Sequence, residues 1–208
     1  WPNLPAGSRG YAMHRLICLI LLLSSTNLLA NERERLAEAA FSSSQQIADS
    51  RLQRQNQAVF NYLWVDVYAA ALYTEPGISP RQAVGHEYRQ RLELYYFRAI
   101  DRQDVIKAAW VALKRQHPAA QLARLRPEID ALHATFADIQ AGDRYALDYS
   151  SNTGISLLIN GRQVFNSRNT ELAHAYLGIW LASDGLSAGL RKQLLSAPQN
   201  QATRPLNQ

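Results

Sequence analysis

The sequence contains very little cysteine and methionine, and this scarcity excludes several kinds of chemistry. Of its 208 residues, only Cys18 is a cysteine and only Met13 is a methionine. After residue 30 the chain can therefore form no internal disulfide, thiolate nucleophile or cysteine-ligated metal site. His86, His117 and His174 show no metal-ligand spacing with one another or with acidic residues. We expect neither a metal nor a cofactor.

The sequence also lacks a basic block, a phosphate-binding loop and a recognisable nucleophile–base pair. Its formal net charge is +5, but the basic and acidic residues are interspersed along the chain. Surfaces that bind nucleic acids usually concentrate positive charge in one patch or stripe. We therefore expect no nucleic-acid partner.

The longest apolar run lies near the amino terminus and has the pattern of a signal peptide. Residues 1–12 precede the methionine and are interpreted as an upstream extension. From Met13 a short basic segment leads into the run Leu16–Leu23, which is followed by mostly small and polar residues up to Ala30. This order predicts a signal peptide over residues 13–30, since a bilayer span needs ~20 residues. We predict a periplasmic protein, with an uncleaved membrane tether as the alternative.

Cleavage after Ala30 would leave a single domain with no stable membrane span. Removing 30 of the 208 residues leaves 178, which is enough for one hydrophobic core. Two arginines and no acidic residue are lost, so the net charge would fall from +5 to +3. Residues 31–50 are predicted to form an arm or edge strand, residues 51–197 the folded domain, and residues 198–208 a disordered tail.

Alternating and apolar segments predict a sheet whose central strands are long. Phe60–Tyr73 is interpreted as one strand that is apolar, and therefore covered, on both faces. Tyr88–Arg98 is a second long strand, in which Leu92, Leu94 and Tyr96 alternate with other side chains, among them Arg91.

The second half of the chain combines strands and helices. Asn160-Gly161 predicts a type I′ turn, because both central residues of that turn need positive φ. It joins the predicted strands Gly154–Ile159 and Arg162–Phe165, and Arg144–Tyr149 precedes them. Helices are predicted to begin at Pro80, Asp101, Pro127 and Ser187, and a further one to carry Tyr176 and Trp180. These groups indicate an α+β domain with helices on one face of a mostly antiparallel sheet.

Six short motifs occur in order along the chain: Val67–Tyr73, Arg91–Arg98, Gly142–Tyr149, Asn160-Gly161, Trp180-Leu181 and Leu190–Leu195. This ordered series resembles the bacterial exported branch of the chalcone-isomerase-like proteins. The resemblance covers residues 52–195 and implies a chalcone-isomerase fold, an open-faced β-sandwich with a helix layer over a long sheet.

The resemblance does not extend to the residues of the enzyme. Plant chalcone isomerases use an Arg after a Gly-rich turn, a Thr on the long strand and a Tyr near the start of the next helix. The corresponding segment here, Asn56–Phe60, has neither Gly nor Arg, the Thr position aligns with Tyr68, and the Tyr falls near Asp104. A cation and a hydrogen-bond donor network, which would stabilise the phenolate and enolate, are therefore missing. This favours a non-catalytic protein.

Fatty-acid-binding proteins of the same fold hold a carboxylate with an Arg and a Tyr above an apolar tunnel. We therefore interpret Tyr68, Tyr96, Arg91 and Arg98 as candidate ligand-binding residues, although both tyrosines could equally be core residues and Arg98 a solvated one.

Three hypotheses follow. The first is a periplasmic protein that binds a small amphipathic ligand resembling a fatty acid. The second is an isomerase or lyase that uses Tyr68, Asp66 or His133; in the simpler interpretation Asp66 pairs with an Arg of a neighbouring strand and His133 bonds to backbone in the core. The third is an envelope interaction module with a filled core and no ligand.

Overall fold

A computed structural model describes residues 31–47, 49–85 and 88–197 of the chain. The predicted signal peptide and tail lie outside these residues. No helix in the described part is long and apolar enough to cross a membrane. The strands are β1 Ser44–Ile47, β2 Ser50–Tyr62, β3 Val65–Thr74, β4 Gln90–Tyr96, β5 Arg144–Ser150, β6 Gly154–Ile159 and β7 Arg162–Ser167. The helices are α1 (residues 31–39), α2 Pro80–Ala83, α3 Arg102–Gln116, α4 Ala119–Ala134, α5 Thr170–Leu181 and α6 Ala188–Leu194.

The strands form one sheet in which spatial order follows chain order. Every neighbouring pair from β1 to β7 is antiparallel. β1 is the edge strand beside β2, and helices join β3 to β4, β4 to β5 and follow β7. The α+β class with a mostly antiparallel sheet is thus confirmed.

The interpretation of Phe60–Tyr73 as one strand is wrong. The chain reverses at Leu63 and Trp64, whose φ angles are 46° and 69°, and Tyr62 pairs with Val65. Positive φ at both central residues is the type I′ requirement that Asn and Gly normally meet. Because Leu and Trp are not typical turn residues, the turn of this hairpin could not be recognised within an apolar segment.

β3 is covered on both faces, as its composition predicts. Tyr68, Ala70 and Leu72 belong to the larger core beneath the helix layer. Ala69 and Tyr73 belong to a smaller core on the opposite face, with Leu52 and Phe41 among its members. Side chains of a strand alternate between faces, so one segment serves two cores. Ala39 of α1 lies in the smaller core, so this helix covers the face away from the main helix layer.

Three helices begin at capping side chains: Ser79, Asn169 and Ser187 each accept a backbone N–H at the start of a helix. Asp101 occupies the predicted N-cap position of α3, but its side chain makes no capping hydrogen bond. The prediction that Pro127 begins a helix is wrong, because α4 begins at Ala119, after Pro118, and includes Pro127. Pro127 itself is exposed, but Leu125 and Ile129 on either side of it are buried in the larger core and hold the helix in place.

The segment from β5 to α5 matches the prediction closely. Asn160 and Gly161 have φ angles of 50° and 80°, as a type I′ turn requires. Gly154 has φ of 78°, and a Cβ there would lie 2.0 Å from the backbone oxygen of Ser167. Glycine is therefore needed where β6 begins.

Candidate functional site

A cavity of about 670 Å³ lies between the helix layer and the sheet. Strands β2 to β6 supply its floor and walls, while α3 and α5 cover it. The space between the long strands and α3 is therefore hollow. A filled core, which the interaction-module hypothesis requires, is not what these elements form.

The floor and walls of the cavity are apolar and aromatic. Neighbouring rings on adjacent strands contact one another, with centroids 4.9 Å apart for Phe60 and Tyr68, 5.5 Å for Tyr68 and Tyr96, and 5.5 Å for Tyr96 and Tyr145. The register makes this row possible, since Tyr68 lies opposite Tyr96 in the β3–β4 pair. Leu92, Leu94, Leu147 and Leu157 supply aliphatic surface.

Two of the four predicted ligand-binding residues, Tyr68 and Tyr96, line this cavity. The indole Nε1 of Trp180 donates a hydrogen bond of 3.1 Å to the Tyr68 hydroxyl. Burial raises the pKa of Tyr68 and the pKa of Tyr96 well above the ordinary value of a phenol. Burial also raises the pKa of Tyr145 to about 12. These phenols stay protonated at neutral pH.

The structure does not bring Arg91 into the cavity. Its guanidinium lies on the opposite face of β4 and forms two bonds to the Asp148 carboxylate, Nε to Oδ1 at 2.5 Å and Nη2 to Oδ2 at 2.7 Å. Nη1 donates to the Oε1 of Gln45 at 3.0 Å. Arg91 thus forms a buried ion pair on the face of the sheet that carries the smaller core.

Arg98 and Asp66 also lie away from the cavity walls. Arg98 is exposed in the bend after β4. Asp66 accepts a hydrogen bond of 2.9 Å from the Nε of Arg35 and is also bonded by Asn61. The predicted arginine partner of Asp66 therefore exists but comes from α1, because this helix covers the smaller core.

His133 is buried behind the cavity wall rather than in it. Its Nε2 lies 3.2 Å from the hydroxyl of Tyr176, which lines the cavity, so its partner is a side chain and not the expected backbone. Burial lowers the pKa of His133 to about 4, and the ring is neutral at pH 7. It is packed against Trp110 and Phe136, at centroid distances of 5.9 and 5.5 Å.

The cavity opens to solvent between α3 and the β2–β3 hairpin. Its rim consists of Tyr62, Asp104, Lys107, Ala108 and Val111, all of which are exposed. Among the described residues that line the cavity, Lys107 is the one cation and Asp104 the one anion.

Lys107 was not among the site residues predicted from the sequence. The sequence offered only a weak signal: α3 carries alanine at positions 108 and 109, which line the cavity, but two small residues on a helix do not by themselves predict empty volume.

A family model described as chalcone isomerase-like matches residues 33–196. The chain belongs to the chalcone isomerase-like family. Comparison with curated proteins gave no match. Among solved structures, a fatty-acid binding protein from Arabidopsis thaliana has a TM-score of 0.55 at 14% sequence identity, over 74% of this chain and 90% of that one. These matches confirm the predicted chalcone-isomerase-like fold.

The geometry bears on the enzyme residues of the chalcone isomerase-like family. Tyr68, at the position where the resemblance expects Thr, is bonded to Trp180. Asp104, near the position expected for Tyr, lies on the rim. In the described part of the chain no guanidinium lines the cavity. These residues therefore place no buried cation beside Tyr68, where one would be needed to bind the phenolate of a chalcone substrate.

Proposed function

We propose that this protein is a non-catalytic binding protein for a single-chain amphipathic carboxylate, such as a fatty acid, held in the cavity under α3. The observation that carries the proposal is the hollow itself. Its volume of about 670 Å³ lies within the ~300–1,000 Å³ typical of small-molecule sites. Its aromatic and aliphatic walls favour an apolar chain. The structural neighbour that is a fatty-acid binding protein adds support.

The polar groups indicate how the ligand would be oriented. Lys107 is on the rim, whereas the deep walls carry only neutral phenols among their titratable groups. A carboxylate buried without a cation is strongly disfavoured, so the head group belongs at the mouth and the chain inside. Lys107 would then take the role that the resemblance assigns to an arginine above the apolar tunnel.

The raised pKa values support a non-catalytic role. Tyr68 and Tyr96 could act as general bases only when ionised, and burial raises the pKa of each phenol far above neutral pH, so neither would accept a proton from a substrate. His133 reaches the cavity only through the hydroxyl of Tyr176. An isomerase would need one of these groups to exchange a proton with substrate.

Export to the periplasm is part of the proposal and depends on the leader over residues 13–30. Cell fractionation of the natural host, with amino-terminal sequencing of the mature chain, tests it. A mature chain beginning near Asn31 in the periplasmic fraction is expected, and an uncleaved cytoplasmic chain would contradict it.

Ligand binding is tested by native mass spectrometry of the purified protein and by titration with a fluorescent fatty acid. A bound acyl chain is expected, with affinity falling about tenfold in Lys107→Met, because a charge-assisted contact is worth roughly 1.5 kcal/mol. Lys114→Met is the matched control, since Lys114 is exposed on the same helix outside the cavity. Absence of binding by both methods would refute the function.

A further inference from the structure

The β2–β3 hairpin ends in four consecutive exposed hydrophobic residues, Tyr62 to Val65, here called the tip. Their exposed fractions are 63%, 73%, 100% and 40% in chain order. In the described part of the chain, one other large hydrophobic residue is exposed, Val111 at 55%. Tyr62 and Val111 both line the mouth of the cavity, so the exposed apolar surface is gathered at one end of the molecule.

The backbone of the tip is not the relaxed form for these residues. Leu63 and Trp64 occupy the left-handed region, which favours glycine and asparagine. Large apolar side chains at a strained, fully exposed turn are unfavourable in water. Such residues are well suited to insertion into an apolar phase.

The start of the described chain lies beside the tip. The Asn31 amide donates to Asp66 Oδ2 at 3.2 Å, and Arg35 Nε donates to the same oxygen at 2.9 Å. Asp66 directly follows Val65, so the chain enters the domain next to the tip. After the proposed cleavage at Ala30, the mature chain would therefore begin beside the tip.

We propose that the tip inserts into the surface of a lipid bilayer, with the cavity mouth facing the membrane. The proposal rests on the proposed function to the extent that the ligand would enter the mouth directly from the bilayer. A Trp–Tyr pair is suited to the membrane interface, where one part of the ring is apolar and the other hydrated. The Asp66 carboxylate is paired with Arg35, which reduces its repulsion from anionic lipids, and on the rim Lys107 balances Asp104, so the mouth carries no net negative charge.

Trp64 provides the measurement, because it is fully exposed and lies outside the cavity. The full chain is mixed with phosphatidylcholine–phosphatidylglycerol vesicles, and subtraction of the Trp64→Tyr spectrum isolates the Trp64 emission. We expect a blue shift, quenching by brominated acyl chains and several-fold lower quenching by aqueous iodide. Leu63→Ser should reduce the quenching by brominated chains. A tryptophan introduced as Gln163→Trp in the Trp64→Tyr background is the control, since Gln163 is exposed on β7 and should stay open to iodide.

The result separates membrane docking from ligand binding. Trp64 equally open to iodide with and without vesicles would overturn docking, even if the fluorescent fatty acid binds in solution. Loss of iodide access without vesicles, increasing with protein concentration, would assign the tip to a second copy of the chain and also overturn it. Immersion of Trp64 without fatty-acid binding would support docking and refute the function.

Discussion

The two faces of the central sheet carry different chemistry although they are built from the same strands. On the helix-covered face, Tyr68 and Tyr96 border a cavity of about 670 Å³ and the rim carries the titratable charge. On the opposite face, Ala69, Ala71 and Tyr73 are completely buried, and the Arg91–Asp148 ion pair lies close by. The cavity face also carries the larger core, so packed side chains and empty space occur side by side there. Strand alternation keeps the side chains of the two faces apart.

The largest expected loss of unfolding free energy comes from breaking the Arg91–Asp148 ion pair, on the face opposite the cavity. Arg91→Met leaves the Asp148 carboxylate without its guanidinium, in a site where the two side chains are 10% and 13% exposed. Removing one partner of a buried pair costs about 3–5 kcal/mol of unfolding free energy. Urea denaturation measures the loss, and fatty-acid affinity should not change, because Arg91 is outside the cavity.

The control for that prediction is an exposed ion pair. Arg124 and Glu171 are 64% and 42% exposed, so Arg124→Met should cost less than about 1 kcal/mol. Equal losses in Arg91→Met and Arg124→Met would show that the buried Arg91–Asp148 pair stabilises the protein no more than an exposed ion pair does.

The next effect is a pH dependence of the unfolding free energy caused by His133, behind the cavity wall. Burial lowers the pKa of His133 from 6.5 to about 4, so between these values the unfolded chain binds a proton that the folded chain excludes. Unfolding free energy should therefore fall by about 3 kcal/mol between pH 6.5 and pH 4 from this group. His133→Gln should remove this part of the slope in chemical denaturation. An unchanged slope would place the His133 pKa near its ordinary value.

A smaller effect compares the same substitution on the two faces. Leu52 is fully buried in the smaller core, so Leu52→Phe should cost about 1–3 kcal/mol by overpacking. Leu94 lines the cavity, so Leu94→Phe has space and should cost less than about 1 kcal/mol while weakening fatty-acid binding. Thermal unfolding and ligand titration measure both, and equal costs would mean that the two faces are packed alike.

Much of the fold was predictable because local chemistry determines it. The positive-φ preference of Asn160-Gly161 and the capping residue Ser187 each set an element boundary that the structure reproduces. The Leu63-Trp64 turn could not be predicted, since neither residue favours positive φ. Pro127 failed for a related reason, because packing of α4 outweighed a local helix-start signal.

The candidate site was predictable only in part. Arg91 and Tyr96 are an odd number of positions apart in β4. Because the side chains of a strand alternate between its faces, this spacing already places the two residues on opposite faces of the sheet. The hollow itself could not be predicted, because empty volume depends on how α3 and α5 pack over the sheet. Lys107 was missed for the same reason, because its proposed role depends on its position at the mouth of the cavity.

The most direct test of the account is an NMR titration of the protein with a ¹³C-labelled fatty acid. We expect contacts between the acyl chain and the side chains of Leu94, Tyr96 and Leu157, with Leu52 and Ala71 unaffected. Contacts on the Leu52 face, or none on either face at saturating ligand, would contradict the claim that the hollow side of this sheet is a binding site.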